Sequence, residues 1–121
     1  MDKFQALNSF WNRFGIPAYD ENSVPDNAVM PYLTYEVVSD SFENEVAVTN
    51  NLWYNSTSWA GISQKAKQIG DLIGMGGSLI QFDDGAIWIK RASPFAQRVG
   101  AENDTTKRIV LNFSMEFISE N

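Results

Sequence analysis

Residues 83–117 read DDGAIWIKRASPFAQRVGAENDTTKRIVLNFSMEF, and this stretch decides the fold. It contains a strand that ends in Lys90-Arg91 and a second strand, residues 109–117, in which apolar and polar residues strictly alternate. The connection between them, residues 92–107, exceeds the roughly 12–15 residues beyond which loops are usually functional or disordered. Because it carries Phe95 among basic residues, we expect a contact surface for another chain and not a catalytic centre.

The composition predicts one folded domain spanning residues 1–121, with 44% apolar residues. No apolar run approaches the roughly 20 residues that a membrane-spanning helix needs, and no signal peptide is evident at the N-terminus. We therefore expect synthesis in the cytoplasm and no membrane partner.

Cysteine and histidine are both absent. Their absence excludes disulfides, thiol chemistry and the usual zinc sites, and it removes the commonest general base. Asp83-Asp84-Gly85 has the form of a hairpin turn and lacks the later ligands of a calcium loop. The glycines at 74, 76 and 77 follow a helix, whereas phosphate-binding glycines precede one. We expect a protein that is not an enzyme and that needs no cofactor or metal.

The rest of the sequence predicts two helices and two antiparallel hairpins. Apolar residues at helical spacing predict helices over residues 2–14 (Phe4, Leu7, Trp11 and Phe14) and 59–73. Strands over residues 32–38 and 45–54 are expected to form an antiparallel hairpin, and residues 79–91 a second one. The order α-β-β-α-β-β-β predicts a two-layer α+β fold, with two helices on one face of a mainly antiparallel sheet.

Charge is distributed unevenly in this acidic chain of net charge −6. Residues 90–108 contain five of the nine cations and two anions, and seven of the other acidic residues lie between residues 20 and 45. Such separation permits copies to bind head to tail, although an unevenly charged, solvated surface is the alternative. The predicted subunit or tube interface comprises Lys90, Arg91, Phe95, Gln97, Arg98, Lys107 and Arg108. The predicted complementary acidic surface comprises Asp20, Glu21, Asp26, Asp40, Glu43 and Glu45.

Five short motifs carry a family resemblance: MPYLTYE at 30–36, LWY at 52–54, SW at 58–59, GAIWIKR at 85–91 and SPFAQR at 93–98. In this order they resemble the small tail terminator (tail completion) proteins of long-tailed phages and prophages of Gram-positive bacteria. The similarity extends over nearly the whole chain. The family is defined by an overall pattern without invariant catalytic residues, so no active-site residue carries over.

The resemblance implies the fold of the lambdoid tail terminator and a hexameric ring at the head-proximal end of the tail tube. Such a ring stops tube polymerisation and provides the surface for head–tail joining. Its implied partners are further copies of itself, the major tail tube protein and a head-completion or neck protein, within a virion assembled in the host cytoplasm. The basic segment would also allow non-specific contact with DNA in the channel. The alternatives are another head–tail connector protein, or a small α+β module that binds a ligand or nucleic acid.

Overall fold

The computed structural model describes residues 1–37, 45–100 and 105–119. Two helices pack on a curled sheet of six strands. The elements follow in the order α1 (Lys3–Trp11), a 3-10 turn (Asn12–Phe14), β1 (Ala18–Asp20), β2 (Tyr32–Tyr35), β3 (Val46–Asn55), α2 (Ala60–Ile73), β4 (Ser78–Phe82), β5 (Gly85–Val99) and β6 (Thr106–Ser119).

The sheet has the strand order β1-β2-β3-β6-β5-β4. β1 runs parallel to β2, and the other adjacent pairs are antiparallel. β6 lies at the centre and pairs with β3 along its length, from Val46 opposite Met115 to Asn55 opposite Thr106. The last strand of the sequence therefore joins the two halves of the sheet.

β5 and β6 form a long antiparallel ribbon where the sequence predicted a loop. The pairing runs from Gly85 opposite Ser119 to Val99 opposite Arg108, with a break in register between Arg91 and Ala96. Pro94 lies in this break, where its missing N–H group costs the ladder no hydrogen bond. The prediction that a strand ends at Lys90-Arg91 and that residues 92–107 form a loop was therefore wrong for residues 92–99 and 106–107.

Both helices cover the same face of the sheet, which holds the core. Phe113 of β6 contacts Trp11 of α1 at a ring-centroid distance of 5.0 Å, and it contacts Phe95, beside α2, at 5.4 Å. Trp11 also stacks on Tyr35 of β2. α1 begins with a capping box, in which Asp2 accepts a hydrogen bond from the Gln5 N–H group. The apolar residues predicted for this first helix are buried, except Phe4, which is 49% exposed.

α2 follows β3 after a short polar connection, as the sequence predicted. The Ser58 hydroxyl accepts a hydrogen bond from the Ala60 N–H group at the first turn. Gly70 lies against the ring of Phe95, so the absent side chain lets the helix approach β5 closely. The helix ends at Gly74, whose φ of +82° favours glycine.

The α+β class, the two helices and both predicted hairpins are confirmed. The predicted order lacked β1, which has three residues and follows Pro17. A strand of three residues is too short to show an alternation of apolar and polar residues, and its pairing with β2 depends on tertiary contacts. Within the described residues, neither helix combines the length and hydropathy needed to cross a bilayer.

Candidate assembly surfaces

The structure divides the predicted interface residues between the two faces of the sheet. Neighbouring residues in a strand point to opposite faces, so Lys107 and Arg108 cannot share a surface. Lys107 lies on the face covered by the helices and is only 7% exposed, whereas Arg108 lies on the other face, here called the open face. The helix-covered face holds Arg91, Phe95, Arg98 and Lys107; the open face holds Lys90, Gln97 and Arg108.

Trp59, the residue before α2, organises the cations on the helix side. The Arg98 guanidinium lies 4.9 Å from the centre of the indole ring, and the Lys107 ammonium lies 5.5 Å from it. An aromatic face attracts cations through its quadrupole, so the indole ring helps to hold both charges in place. Arg98 therefore combines a defined position with an exposed charge.

A groove of about 260 Å³ lies between α2 and β5, and we name it the α2–β5 groove. Its lining is Ser63, Ala66, Lys67, Phe95, Ala96, Arg98 and Ile109. Ala66 and Ile109 are buried and form an apolar floor, and Arg98 and Lys67 flank it. Lys67 pairs with Asp71 one helical turn later at 3.1 Å. Within the described residues Arg91 and Arg98 make no salt bridge. The groove is thus apolar at its base and positively charged at its rim.

The open face holds its polar and charged residues through contacts within the chain. The Arg108 guanidinium lies 5.2 Å from the ring centre of Trp53, whose indole N–H donates to the Thr34 hydroxyl at 3.1 Å. The Asn112 amide donates to the carbonyl of Pro94 at 3.0 Å and to the side chain of Gln97 at 3.3 Å. These contacts fix the outer side of the β5–β6 ribbon where its register breaks.

Lys90 and Glu45, one from each predicted charge surface, pair with each other in the same molecule. Lys90 Nζ donates to Glu45 Oε1 at 2.6 Å. The hydrogen bond and the charge of Glu45 raise the pKa of Lys90 above its ordinary value. This pair spans β6, and it engages both side chains inside one subunit.

Three of the predicted acidic residues lie on or just after β1, at one edge of the sheet. We name residues 20–31 the acidic segment; it contains Asp20, Glu21 and Asp26. Backbone turns shape it, with Ser23 N donating to Asp20 O and Ala28 N to Pro25 O. Among the described residues these three carboxylates make no salt bridge. Val29 is 78% exposed within the same segment. Asp40 and Glu43 lie outside the described residues.

A second groove, of about 410 Å³, lies at the opposite end of the ribbon from Val99. It has aromatic walls and an acidic rim, with Asp2, Lys3, Phe4, Phe82, Asp83, Asp84, Phe117 and Ile118 as its lining. The N-terminal amine of Met1 bonds to Asp83 at 2.8 Å beside it. No group of three or more potential metal ligands occurs in residues 1–37, 45–100 and 105–119.

No protein-family model matches the chain, and no curated protein matches it. Among solved structures, the chain is similar to one from the virion of a native gene transfer agent particle, with a TM-score of 0.65 and 16% sequence identity. The match covers 96% of this chain and 91% of the other. The two chains share a fold.

Neither Trp53 nor Trp59 was predicted as a partner of the basic residues, and neither groove was predicted. One signal could have separated the cations: the alternation that begins at Ile109 continues back through Lys107. Extending it would have assigned Lys107 to the core face and Arg108 to the open face. No sequence pattern marks the tryptophans, because their contacts depend on strand register.

Proposed function

We propose that this protein is a virion structural protein that forms a hexameric ring at the head-proximal end of a phage tail tube. There it would end tube polymerisation and provide the surface to which the head attaches. The observation that carries the proposal is the fold match to a virion chain over nearly the full length of both chains. The five motifs that resemble tail terminators support the same role.

The arrangement of surfaces supports a ring assembled by head-to-tail contacts. The acidic segment follows β1 at one edge of the sheet, whereas the α2–β5 groove lies toward the other edge. Two different surfaces that complement each other make a heterologous interface, which closes into a ring when the rotation between subunits permits it. The subunit contact then needs no catalytic group.

Ending a polymer requires the two faces of the ring to differ. One face would complement the end of the tube, and the other would lack the docking surface that tube subunits offer to each other. The second face is then available to a head-completion or neck protein. The proposed role needs no cofactor and no enzymatic step. The protein would lie in the virion, after assembly in the host cytoplasm. DNA in the channel would be contacted only without sequence specificity.

A second candidate is another head–tail connector protein of the same particle. The similarity to a virion chain supports this candidate equally, because a shared fold gives no position within the particle. The two candidates differ in where the protein lies in the particle and in whether it stops the growth of the tail tube.

Two measurements test the proposal. Native mass spectrometry of the purified protein should give six times the 13.6 kDa subunit mass. Gold-labelled protein added to polymerising tube protein of the same phage should appear at one tube end only, and it should halt elongation. Label at the neck with unaffected tube growth would favour the connector, and no label on any particle would contradict both candidates.

A further inference from the structure

We propose that the α2–β5 groove of one subunit receives the acidic segment of the neighbouring copy. This inference rests on the proposed ring and identifies the two surfaces that would build it. The occupant is a second copy of this chain, and the contact is head to tail.

Charge complementarity is the first argument. Arg98 lines the groove, and the Arg91 side chain lies beside Gly70 of α2. Neither arginine makes a salt bridge in the described part of the chain. Residues 85–99 contain no acidic residue, and α2 contains only Asp71, which already pairs with Lys67. The groove therefore keeps a positive rim in a chain of net charge −6. An acidic partner gains attraction there and a defined orientation.

The acidic segment has the matching properties. Its carboxylates at Asp20, Glu21 and Asp26 make no salt bridge with the described residues. Val29 presents an exposed apolar side chain a few residues later. A segment with both charge and an apolar side chain fits a groove that has cations at its rim and Ala66 and Ile109 at its floor.

The topology requires the contact to join different molecules. β1 is one edge strand of the sheet, and three strands separate it from β5. α2 packs over β3, β6 and β5, and the groove lies between α2 and β5, on the side of the sheet remote from β1. The turns that shape the acidic segment hold it at its own edge. Each subunit therefore offers one groove and one segment, and repeating the contact gives a ring or an open filament.

Cysteine cross-linking tests the pairing directly, because the natural chain has no cysteine. Ser63→Cys places a thiol in the groove, and Val29→Cys places one on the acidic segment. The two single variants are mixed under mild oxidation, and disulfide-linked dimers are quantified by non-reducing electrophoresis. The matched control replaces Ser63→Cys with Ser114→Cys, another half-buried serine, which lies on the open face.

Docking should raise the effective concentration of the two thiols, so we expect about tenfold or more dimer from the Ser63 and Val29 pair than from the control pair. Equal yields, or no dimer from either pair, would overturn the inference. If native mass spectrometry of the natural protein still gives a hexamer in that case, the proposed function stands and only the assignment of surfaces fails. If the natural protein neither forms a hexamer nor labels tube ends, the proposed function fails together with the inference.

Discussion

Asn50 is a fully buried amide in the middle of β3, between Tyr35 of β2 and Leu111 of β6. Neither its Oδ1 nor its Nδ2 atom hydrogen-bonds to a described residue. A buried polar group without a partner costs about 1–3 kcal/mol. Leucine has the same number of side-chain heavy atoms, so Asn50→Leu should raise the free energy of unfolding by about 1 kcal/mol or more.

Urea denaturation followed by circular dichroism measures this change. Asn51→Leu is the control, because Asn51 is only half-buried and lies on the open face. We expect the control to change stability little. A lower denaturation midpoint for Asn50→Leu would contradict the prediction and would mean that the amide does have a bonding partner in solution.

The glycines of α2 should respond oppositely to alanine. A Cβ atom on Gly70 would lie 2.9 Å from the ring of Phe95, which is itself packed on Phe113. On Gly61 it would lie 3.5 Å from Tyr54, an ordinary contact. Alanine is favoured over glycine in a helix interior by about 1 kcal/mol. Gly61 lies in the first turn of α2, so Gly61→Ala should stabilise the protein by less than that amount. Gly70→Ala should lose this gain to the steric conflict and lower the melting temperature. Equal shifts for the two variants would refute this account.

At the level of elements, hydrophobic periodicity predicted both helices, the β2–β3 and β4–β5 hairpins and the alternation of β6. It failed for the second half of β5, because Ser93-Pro94 interrupts the pattern and proline usually excludes a central strand. The break in register resolves the conflict, but a break depends on pairing with β6 and leaves no local signal. For the same reason, Lys90, Gln97 and Arg108 were grouped with Arg98. These three residues lie on the open face, whereas Arg98 lies on the face covered by the helices.

The Lys90–Glu45 pair links β5 to the start of β3 across β6, and it predicts a dependence on alkaline pH. The pKa of Lys90 is raised in the folded state, so the stability that the pair contributes is fully present at neutral pH. It is lost as the pH rises through the raised pKa. Because both side chains are substantially exposed, we expect this contribution to be small.

Glu45→Gln should lower the pKa of Lys90 toward its ordinary value, as measured by NMR titration of the lysine side chains. Asp71→Asn, which removes the Lys67–Asp71 salt bridge, is the control and should leave the titration of Lys90 unchanged. An unaltered Lys90 in Glu45→Gln would show that the pair is not formed in solution.

At the scale of the whole molecule, Arg98 and Arg108 form a matched pair of cations near one end of the ribbon, on opposite faces. Arg98→Glu should abolish the proposed hexamer while leaving the circular dichroism of the monomer unchanged, because it reverses charge at the α2–β5 groove. Arg108→Glu should leave the hexamer intact. An intact ring in Arg98→Glu, or loss of the ring in both variants, would contradict the assignment of this surface.

Salt should weaken the proposed ring, because charged groups line the α2–β5 groove. The Debye length falls from about 10 Å at 0.1 M to about 3 Å at 1 M, which screens charges at the rim of an interface. We expect the proposed hexamer to dissociate at a higher protein concentration in 1 M than in 0.1 M sodium chloride. Size-exclusion chromatography of a dilution series measures this concentration. A ring whose dissociation does not depend on salt would indicate a mainly apolar contact.

β6 lies between β3 and β5, yet it is the last of these strands to leave the ribosome. Until then the nascent chain holds two separate pieces, β1-β2-β3 and β4-β5, and no pairing of described residues joins one piece to the other. Each piece ends in an unpaired strand edge of the kind that promotes aggregation and proteolysis. A chain whose translation stops before residue 106 cannot complete its sheet. Aggregation or proteolysis would thus remove truncated copies before they could enter the proposed ring.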